Sequence, residues 1–302
     1  MPVVELLASS PAVFLGAAAA LGLAVGSFLN VVIHRLPLML ERQWHEQCAE
    51  LSGAAAAVTL PAGLPERFNL IVPRSRCPAC AAPITALQNI PLVSFALLRG
   101  RCARCGAAIS ARYPLVEALS GCLTALIAWK FGFGWPALAG MVLTWFLIAL
   151  AFIDIDHQLL PDNLTLPLLW SGLFLSLLGL KGDGGALAAD PRASVIGALA
   201  GYLSLWSVYH LFRLITGKEG MGYGDFKLSA ALGAWLGWQA LLPAVLLAAL
   251  LGTCVGLGLI AVRGHGRSTP IAFGPFLAAG GWLMLMFGPR LVGLYLGGPP
   301  PP

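Results

Sequence analysis

Charged residues are scarce in this sequence. Only 10% of its 302 residues are Asp, Glu, Lys or Arg, whereas an ordinary soluble domain has about 25%. Hydrophobic residues make up 58% of the chain, and its mean hydropathy is +0.83. A soluble globular protein is therefore excluded. Because lipid cannot satisfy free backbone groups, runs of about 20 apolar residues cross a bilayer as helices, and the composition predicts an all-α polytopic membrane protein.

Several familiar signatures are also missing. No G-x-S-x-G sequence occurs, which argues against a serine nucleophile elbow. The stretch HEQCA at 45–49 begins like a zinc-protease motif but has Ala49 where the second histidine belongs. The residues before the first apolar run carry Glu5 and no Lys or Arg. They therefore lack the basic region of a signal peptide, and we expect a retained helix with its N-terminus outside.

About eight apolar stretches are predicted to span the membrane. They cover roughly residues 12–33, 114–131, 136–153, 164–180, 194–215, 226–239, 241–262 and 271–288. The sixth is short. With the N-terminus outside, most of the 18 Lys and Arg residues fall on the inner side, as the positive-inside rule expects. The formal charge of +5 then reflects topology and requires no nucleic-acid partner.

These stretches divide the chain into three predicted parts. Residues 1–33 carry the first transmembrane helix, and residues 34–112 form a cytoplasmic loop that is the only sizeable polar segment. Residues 113–302 form a membrane core of about seven helices. The candidate functional residues lie in the loop and in the membrane core.

The loop contains two cysteine pairs with metal-ligand spacing. CPAC at 77–80 and CARC at 102–105 are separated by 21 residues. Four thiolates in two such pairs can hold one zinc ion in tetrahedral geometry. Two disulfides are the alternative, but the loop is assigned to the reducing side of the membrane, where disulfides do not persist. We therefore predict one structural zinc per chain, bound by Cys77, Cys80, Cys102 and Cys105.

Four of the 13 acidic residues lie at the inner ends of predicted helices. Three belong to FIDIDHQLLPD, namely Asp154, Asp156 and Asp162, and the fourth is Asp225 of GYGDFKL. The predicted topology places the end of the third span and the start of the sixth on the same side, so Asp154 and Asp225 can meet. Two neighbouring carboxylates share a proton. One can then activate water while the other polarises a peptide carbonyl, as in aspartic proteases.

Simpler roles for these acids remain open at this level. Asp225 could cap the sixth helix, with Gly222 and Gly224 forming the turn before it. Asp162 fits a cap of the fourth helix, and Asp156 fits a solvated charge at the interface. Charges at membrane depth tend to be functional, which is the argument for catalysis.

Taken in order, the motifs resemble one family, the type IV prepilin peptidases, which are bacterial membrane aspartic proteases of the GxGD type. The similar segments are GSFLNVVIHRLP (26–37), both cysteine pairs, NIPLVSF (89–95), RYPLVE (112–117), IDIDHQLLPD (153–162), GKEGMGYGDFKL (217–228) and TPIAFGP (269–275). The resemblance covers nearly the whole chain. It implies that Asp154 and Asp225 are the catalytic aspartates, and it suggests that Gly222 and Gly224 let the backbone approach the substrate closely.

The resemblance also implies a reaction. Members of the family cut the leader peptides of prepilins and of type II secretion pseudopilins at the cytoplasmic side of the inner membrane. Members with the cysteine loop commonly methylate the new N-terminus with S-adenosylmethionine. The sequence has no nucleotide-type glycine fingerprint, so the methyl-donor site cannot be located. We hypothesise that the loop 34–112 helps to form it.

Other functions remain possible from the sequence alone. Within the family, the alternative is a peptidase without methyltransferase activity. Outside it, the chain could be a non-enzymatic scaffold that docks a secretion machine through its zinc loop. A transporter with acidic proton relays would be expected to carry charges near mid-span, whereas here they sit at span ends.

Overall fold

The computed structural model describes residues 2–51, 65, 67–85, 87–179, 181–182, 185–186, 189–263 and 271–296. Within them are ten α-helices: α1 (Pro2–Ser9), α2 (Pro11–Leu51), α3 (Val93–Leu97), α4 (Arg112–Phe131), α5 (Trp135–His157), α6 (Asp162–Leu178), α7 (Pro191–Thr216), α8 (Tyr223–Leu236), α9 (Trp238–Arg263) and α10 (Gly274–Leu296). A 3-10 turn covers Leu87–Asn89, and β1 (Lys181–Gly182) pairs antiparallel with β2 (Gly185–Ala186). The first two residues of TPIAFGP lie outside the described residues.

The predicted all-α membrane class is confirmed, since every apolar stretch picked out from the sequence is helical. Among the described residues, five helices are long and apolar enough to cross a membrane, namely α2, α4, α5, α7 and α9. Two shorter apolar helices, α6 and the Gly274–Gly288 part of α10, accompany them. Helix α8 has 14 residues, which is about 21 Å at 1.5 Å per residue, shorter than the roughly 30 Å hydrocarbon layer.

Helix α2 is longer than predicted. The first apolar stretch ends near residue 33, but the helix continues to Leu51. The extension is rich in Leu, Glu, Gln and Arg, which are strong helix formers. Arg42 and Glu46 form an ion pair one turn apart, with 2.8 Å between Nε and Oε1. The predicted boundary at residue 33 therefore falls inside a helix.

The chain forms two compact units. One comprises residues 17–123, and the other comprises residues 1–16 and 124–302. The cysteine pairs belong to the first unit, and the aspartates discussed above belong to the second.

Helix α8 is the core of the second unit. Ten of its 14 residues are buried, including Phe226, Leu228 and Trp235. A surface helix buries only one stripe, whereas α8 is covered by α6, α7, α9 and α10. The Trp235 indole N–H donates to the carbonyl of Leu168 on α6 at 2.8 Å. The start of α8, and with it Asp225, is therefore fixed from several directions.

Helices α7 and α8 touch through their backbones. A Cβ on Gly197 would collide with the Gly233 carbonyl. Likewise, a Cβ on Gly233 would collide with the Gly197 carbonyl. One turn along, a Cβ on Gly201 would lie 2.5 Å from the carbonyl oxygen of Ser229. Small residues at this spacing allow close packing of membrane helices, where van der Waals contact replaces the hydrophobic drive.

We predict that Gly197→Ala destabilises the second unit, because the added methyl meets backbone that cannot rotate away. Overpacking of this kind costs about 1–3 kcal/mol. The matched control is Gly258→Ala on α9, where no atom lies within 4 Å of the added Cβ. Thermal unfolding in detergent should show a lower midpoint for Gly197→Ala and little change for Gly258→Ala. Equal midpoints would contradict the close approach.

Candidate active site

Asp154 lies in the last turn of α5 and is only 6% exposed. The helix ends at His157 because Gln158 adopts a left-handed conformation, and the Gln158 amide donates to the Asp154 carbonyl at 2.9 Å. The carboxylate Oδ2 accepts a 2.9 Å hydrogen bond from the backbone amide of Gly274, the first residue of α10. Amides at a helix N-terminus carry partial positive charge, so α10 holds this carboxylate in place.

Asp225 lies in the first turn of α8 and is also 6% exposed. The helix N-cap is Gly222, which makes Asp225 the third helical residue and not the cap. The Asp225 amide donates to the Gly222 carbonyl at 3.2 Å. Oδ1 has no hydrogen-bond partner among the described residues. A buried carboxylate oxygen without a partner is costly, and this oxygen is available to a water molecule or a substrate.

Leu160 packs against the start of α8, which carries Asp225, and against the start of α10, whose Gly274 amide binds Asp154. A Cβ on Gly224 would lie 2.6 Å from the Leu160 Cβ, and a Cβ on Gly274 would lie 3.2 Å from its Cδ1. The same Cβ on Gly274 would also come within 2.6 Å of Asp154 Oδ2. The Asp154 carboxylate lies near enough to Asp225 for their like charges to repel each other. Glycine at 224 and 274 thus allows two helix starts to close around one buried leucine and brings the two carboxylates into one electrostatic environment.

The two glycines of the GYGD turn have different tasks. Gly224 is the one that permits a close approach. A Cβ on Gly222 would have only ordinary contacts, the nearest being Asp225 Oδ2 at 3.9 Å, and this residue is the N-cap of α8.

The other two acids of the cluster lie differently. Asp156 is exposed near the end of α5. Asp162 was expected to cap the fourth helix, but the N-cap of α6 is Pro161, without a side-chain cap. That interpretation is wrong. Asp162 is the first helical residue, and its Oδ1 forms an ion pair with Lys227 Nζ at 2.6 Å. This pair, with side chains 31% and 51% exposed, ties the start of α6 to α8.

Sequence reasoning missed Gly274 and Leu160. Gly274 stands before Pro275, and proline in the first turn is a helix-start signal. The sequence therefore could have indicated a helix N-terminus there. Nothing in the sequence indicated that the N-terminus would face Asp154, 120 residues earlier. Leu160 carries no sequence signal for its position.

The four cysteine sulfurs converge in the first unit. Cys77, Cys80, Cys102 and Cys105 each place a sulfur within 4.8 Å of the others. The Cys77 and Cys105 sulfurs are 3.9 Å apart, close to the roughly 3.8 Å edge of a tetrahedron with zinc–sulfur bonds of about 2.3 Å. All four are free thiols, so the disulfide alternative is not adopted.

The two cysteine pairs are structural copies offset by 25 residues. In the first, the Cys77 amide donates to Ala82 at 2.9 Å; in the second, the Cys102 amide donates to Ala107 at 2.8 Å. The chain turns through positive φ at Ala81 and at Gly106. Matching turns present their sulfurs alike, and this donor set fits a zinc ion.

The thiols differ in acidity. Hydrogen bonds from the backbone amides of Cys105 and Arg104 lower the pKa of Cys102 to about 6. The Ala107 amide also lowers the pKa of Cys105, but the thiol of Cys80, desolvation and the remaining thiols raise it, to about 11 overall. The thiolate form of Cys102 is therefore stabilised, whereas that of Cys105 is disfavoured. A bound divalent cation would overcome this difference, because a thiol that coordinates a metal is deprotonated outright.

Comparison with known proteins gives consistent matches. A family model described as "Bacterial Peptidase A24 N-terminal domain" matches residues 20–131, and one described as "Type IV leader peptidase family" matches residues 141–257. A protein of Aeromonas salmonicida named "Prepilin leader peptidase/N-methyltransferase" is 57% identical over 274 residues, 91% of each chain. Proteins of the same name from Stutzerimonas stutzeri and Pseudomonas aeruginosa are 51% and 49% identical, each over 98% of both chains. No solved structure matches.

We predict that the purified protein contains about one zinc per chain. Cys77→Ser should lower the zinc content measured by elemental analysis, since it removes one of four ligands. Cys48→Ser is the control, because Cys48 lies outside the cluster. A zinc-free preparation with two disulfides would contradict both the metal and the placement of this loop in a reducing compartment.

Proposed function

The chain belongs to the type IV leader peptidase family, and on that premise we propose that it cleaves prepilin leader peptides with Asp154 and Asp225 as its catalytic pair. The observation that carries the proposal is the burial of both carboxylates in one electrostatic environment, with Asp225 Oδ1 lacking a hydrogen-bond partner among the described residues. Burial of two carboxylates with no cationic partner among the described residues costs stability, which a purely structural role does not explain.

The pair performs aspartic-protease chemistry. It holds one proton between its two carboxyl groups. The ionised member takes a proton from water, whose oxygen bonds to the scissile carbonyl carbon, while the protonated member donates a hydrogen bond to the carbonyl oxygen. The carbon–nitrogen bond then breaks, and the leaving amine receives the proton that the ionised member had taken from water. The Gly274 amide keeps the Asp154 carboxylate oriented, and Leu160 excludes water from one side.

Methylation of the new N-terminus is the second proposed activity, because the relatives named above carry both activities in their names. Bound S-adenosylmethionine supplies a methyl group to the amine, which gives up a proton. A zinc ion on the four cysteines has a structural role, since a site with four thiolates leaves no open position for chemistry.

The substrates we propose are prepilins and type II secretion pseudopilins. The five long apolar helices support a membrane protein. We place it in the bacterial inner membrane with the aspartates facing the cytoplasm, on the distribution of Lys and Arg.

We predict that Asp154→Asn and Asp225→Asn each reduce cleavage of a prepilin in detergent by roughly 10²–10⁴-fold, because each removes half of the proton-sharing pair. The matched control is Asp156→Asn, an exposed acid on the same helix. Asp162→Asn breaks an exposed ion pair worth about 0–1 kcal/mol and should leave the rate near normal. Cleavage at a normal rate by Asp225→Asn would rule out the aspartic-protease proposal.

The two activities should respond to different substitutions. Cys102→Ser, or removal of zinc by a chelator, should reduce methylation of a pre-cleaved pilin more than it reduces cleavage. Asp154→Asn should still methylate the pre-cleaved pilin. Mass spectrometry of the product N-terminus measures both reactions. If the wild-type protein cleaves and never methylates, the peptidase-only alternative holds; equal loss of both in every variant indicates one shared site or unfolding.

A further inference from the structure

A cavity of about 450 Å³ lies in the first unit and shares no residue with the aspartate pair or the cysteine cluster. Its volume falls within the roughly 300–1,000 Å³ typical of small-molecule sites. One wall is formed by the polar extension of α2, and the other by the segment that follows residue 66.

The helical wall is a single face of α2. Met39, Arg42, Gln43 and Glu46 line the cavity, and spacings of three and four residues place side chains on the same side of a helix. Arg42 and Glu46 are joined by their 2.8 Å ion pair, yet their side chains remain 21% and 45% exposed. A charged pair on a fixed helix face is thus presented to whatever enters the cavity.

The facing wall is held rigidly. Arg35, on the same helix and itself buried, donates from Nη1 to the Asn69 carbonyl at 2.8 Å and from Nη2 to the Pro73 carbonyl at 2.6 Å. The Asn69 side chain accepts hydrogen bonds from the amides of Ile71 and Val72 at 2.8 and 2.7 Å, which closes a tight turn. The wall is therefore ordered before any ligand binds, and preorganisation reduces the cost of binding.

The lining is chemically mixed. Glu46 supplies a carboxylate, Arg67 supplies a guanidinium, and Phe68 supplies an aromatic ring. The Phe68 ring already lies 5.5 Å from the Arg35 guanidinium carbon, which fixes its position. A ligand that suits all three groups carries a cation for the carboxylate, an anion for the guanidinium and a flat or cationic part for the ring.

We propose that this cavity binds S-adenosylmethionine, the methyl donor, which combines cationic sulfonium and ammonium groups, a carboxylate and an adenine ring. Glu46 faces the cationic part, Arg67 binds the carboxylate and Phe68 contacts the ring or the sulfonium. The proposal rests on the methyltransferase activity proposed above and gives it a location.

Direct binding tests the assignment without using catalysis. Radiolabelled S-adenosylmethionine is equilibrated with the full-length protein in detergent, and the dissociation constant is measured by equilibrium dialysis. Glu46→Gln and Arg67→Gln should each weaken binding by about tenfold or more, because each removes a charge-assisted contact. Glu46→Gln keeps an oxygen acceptor for Arg42, so the helix face is preserved. Cleavage of a prepilin by both variants should stay near normal, which also verifies folding.

The controls are exposed residues of the same charge outside the cavity lining: Glu41→Gln on α2 and Arg74→Gln on the loop. Both should bind the methyl donor like the wild type. If the wild type binds the donor and Glu46→Gln and Arg67→Gln bind it equally well, the cavity assignment is wrong while the methyltransferase proposal stands. If the wild type binds no donor at all, the methyltransferase proposal itself fails, and the cavity loses its ligand with it. Equal weakening in the controls would show a general charge effect and overturn the assignment.

Discussion

The close approach of backbone to neighbouring atoms at glycine is the constraint on which the membrane site depends. Gly197 and Gly233 bring α7 and α8 into backbone contact, Gly224 brings the start of α8 against Leu160, and Gly274 brings the start of α10 against Asp154. A bilayer offers no hydrophobic drive for helix association, so such contacts supply much of the attraction. Each one also removes space that a Cβ would need. The positions of Asp154 and Asp225 therefore depend on the glycines that let these helices approach each other.

Helix α8 illustrates what this packing makes possible. It is too short to span a bilayer alone and is nevertheless the most enclosed helix of its unit. A helix enclosed by protein can carry a carboxylate at its start, because the neighbouring helices bury Asp225. Lys227 turns to Asp162 at the exposed side, whereas Asp225 is kept from solvent, with one oxygen unpartnered among the described residues. The start of α8 thus presents one group that is neutralised by a partner and one carboxylate oxygen that has none among the described residues.

The unit of residues 17–123 is organised on a different principle. Among the described residues of its loop segment 67–111, only Ala82 is buried, so polar contacts and the cysteine cluster define the shape of this segment. Two copies of one cysteine turn face each other across the four sulfurs, and Arg35 fastens the following wall to α2 through two backbone carbonyls. Small polar segments that cannot build a core commonly rely on a metal in this way. Their rigidity suits a binding site for a charged small molecule, which loses affinity if the wall has to be ordered first.

The sequence by itself determined the membrane class, the positions of the helices and the cysteine cluster, because hydrophobic runs and ligand spacing are local properties of the chain. It also pointed to Asp154 and Asp225, through their place at helix ends and through the family resemblance. Only the tertiary structure decided that α2 continues to Leu51, that Asp162 pairs with Lys227 and does not cap α6, and that Gly274 donates to Asp154. These depend on which helix ends meet in space, and contacts between residues 65 or 120 positions apart leave no periodic or compositional trace in the sequence.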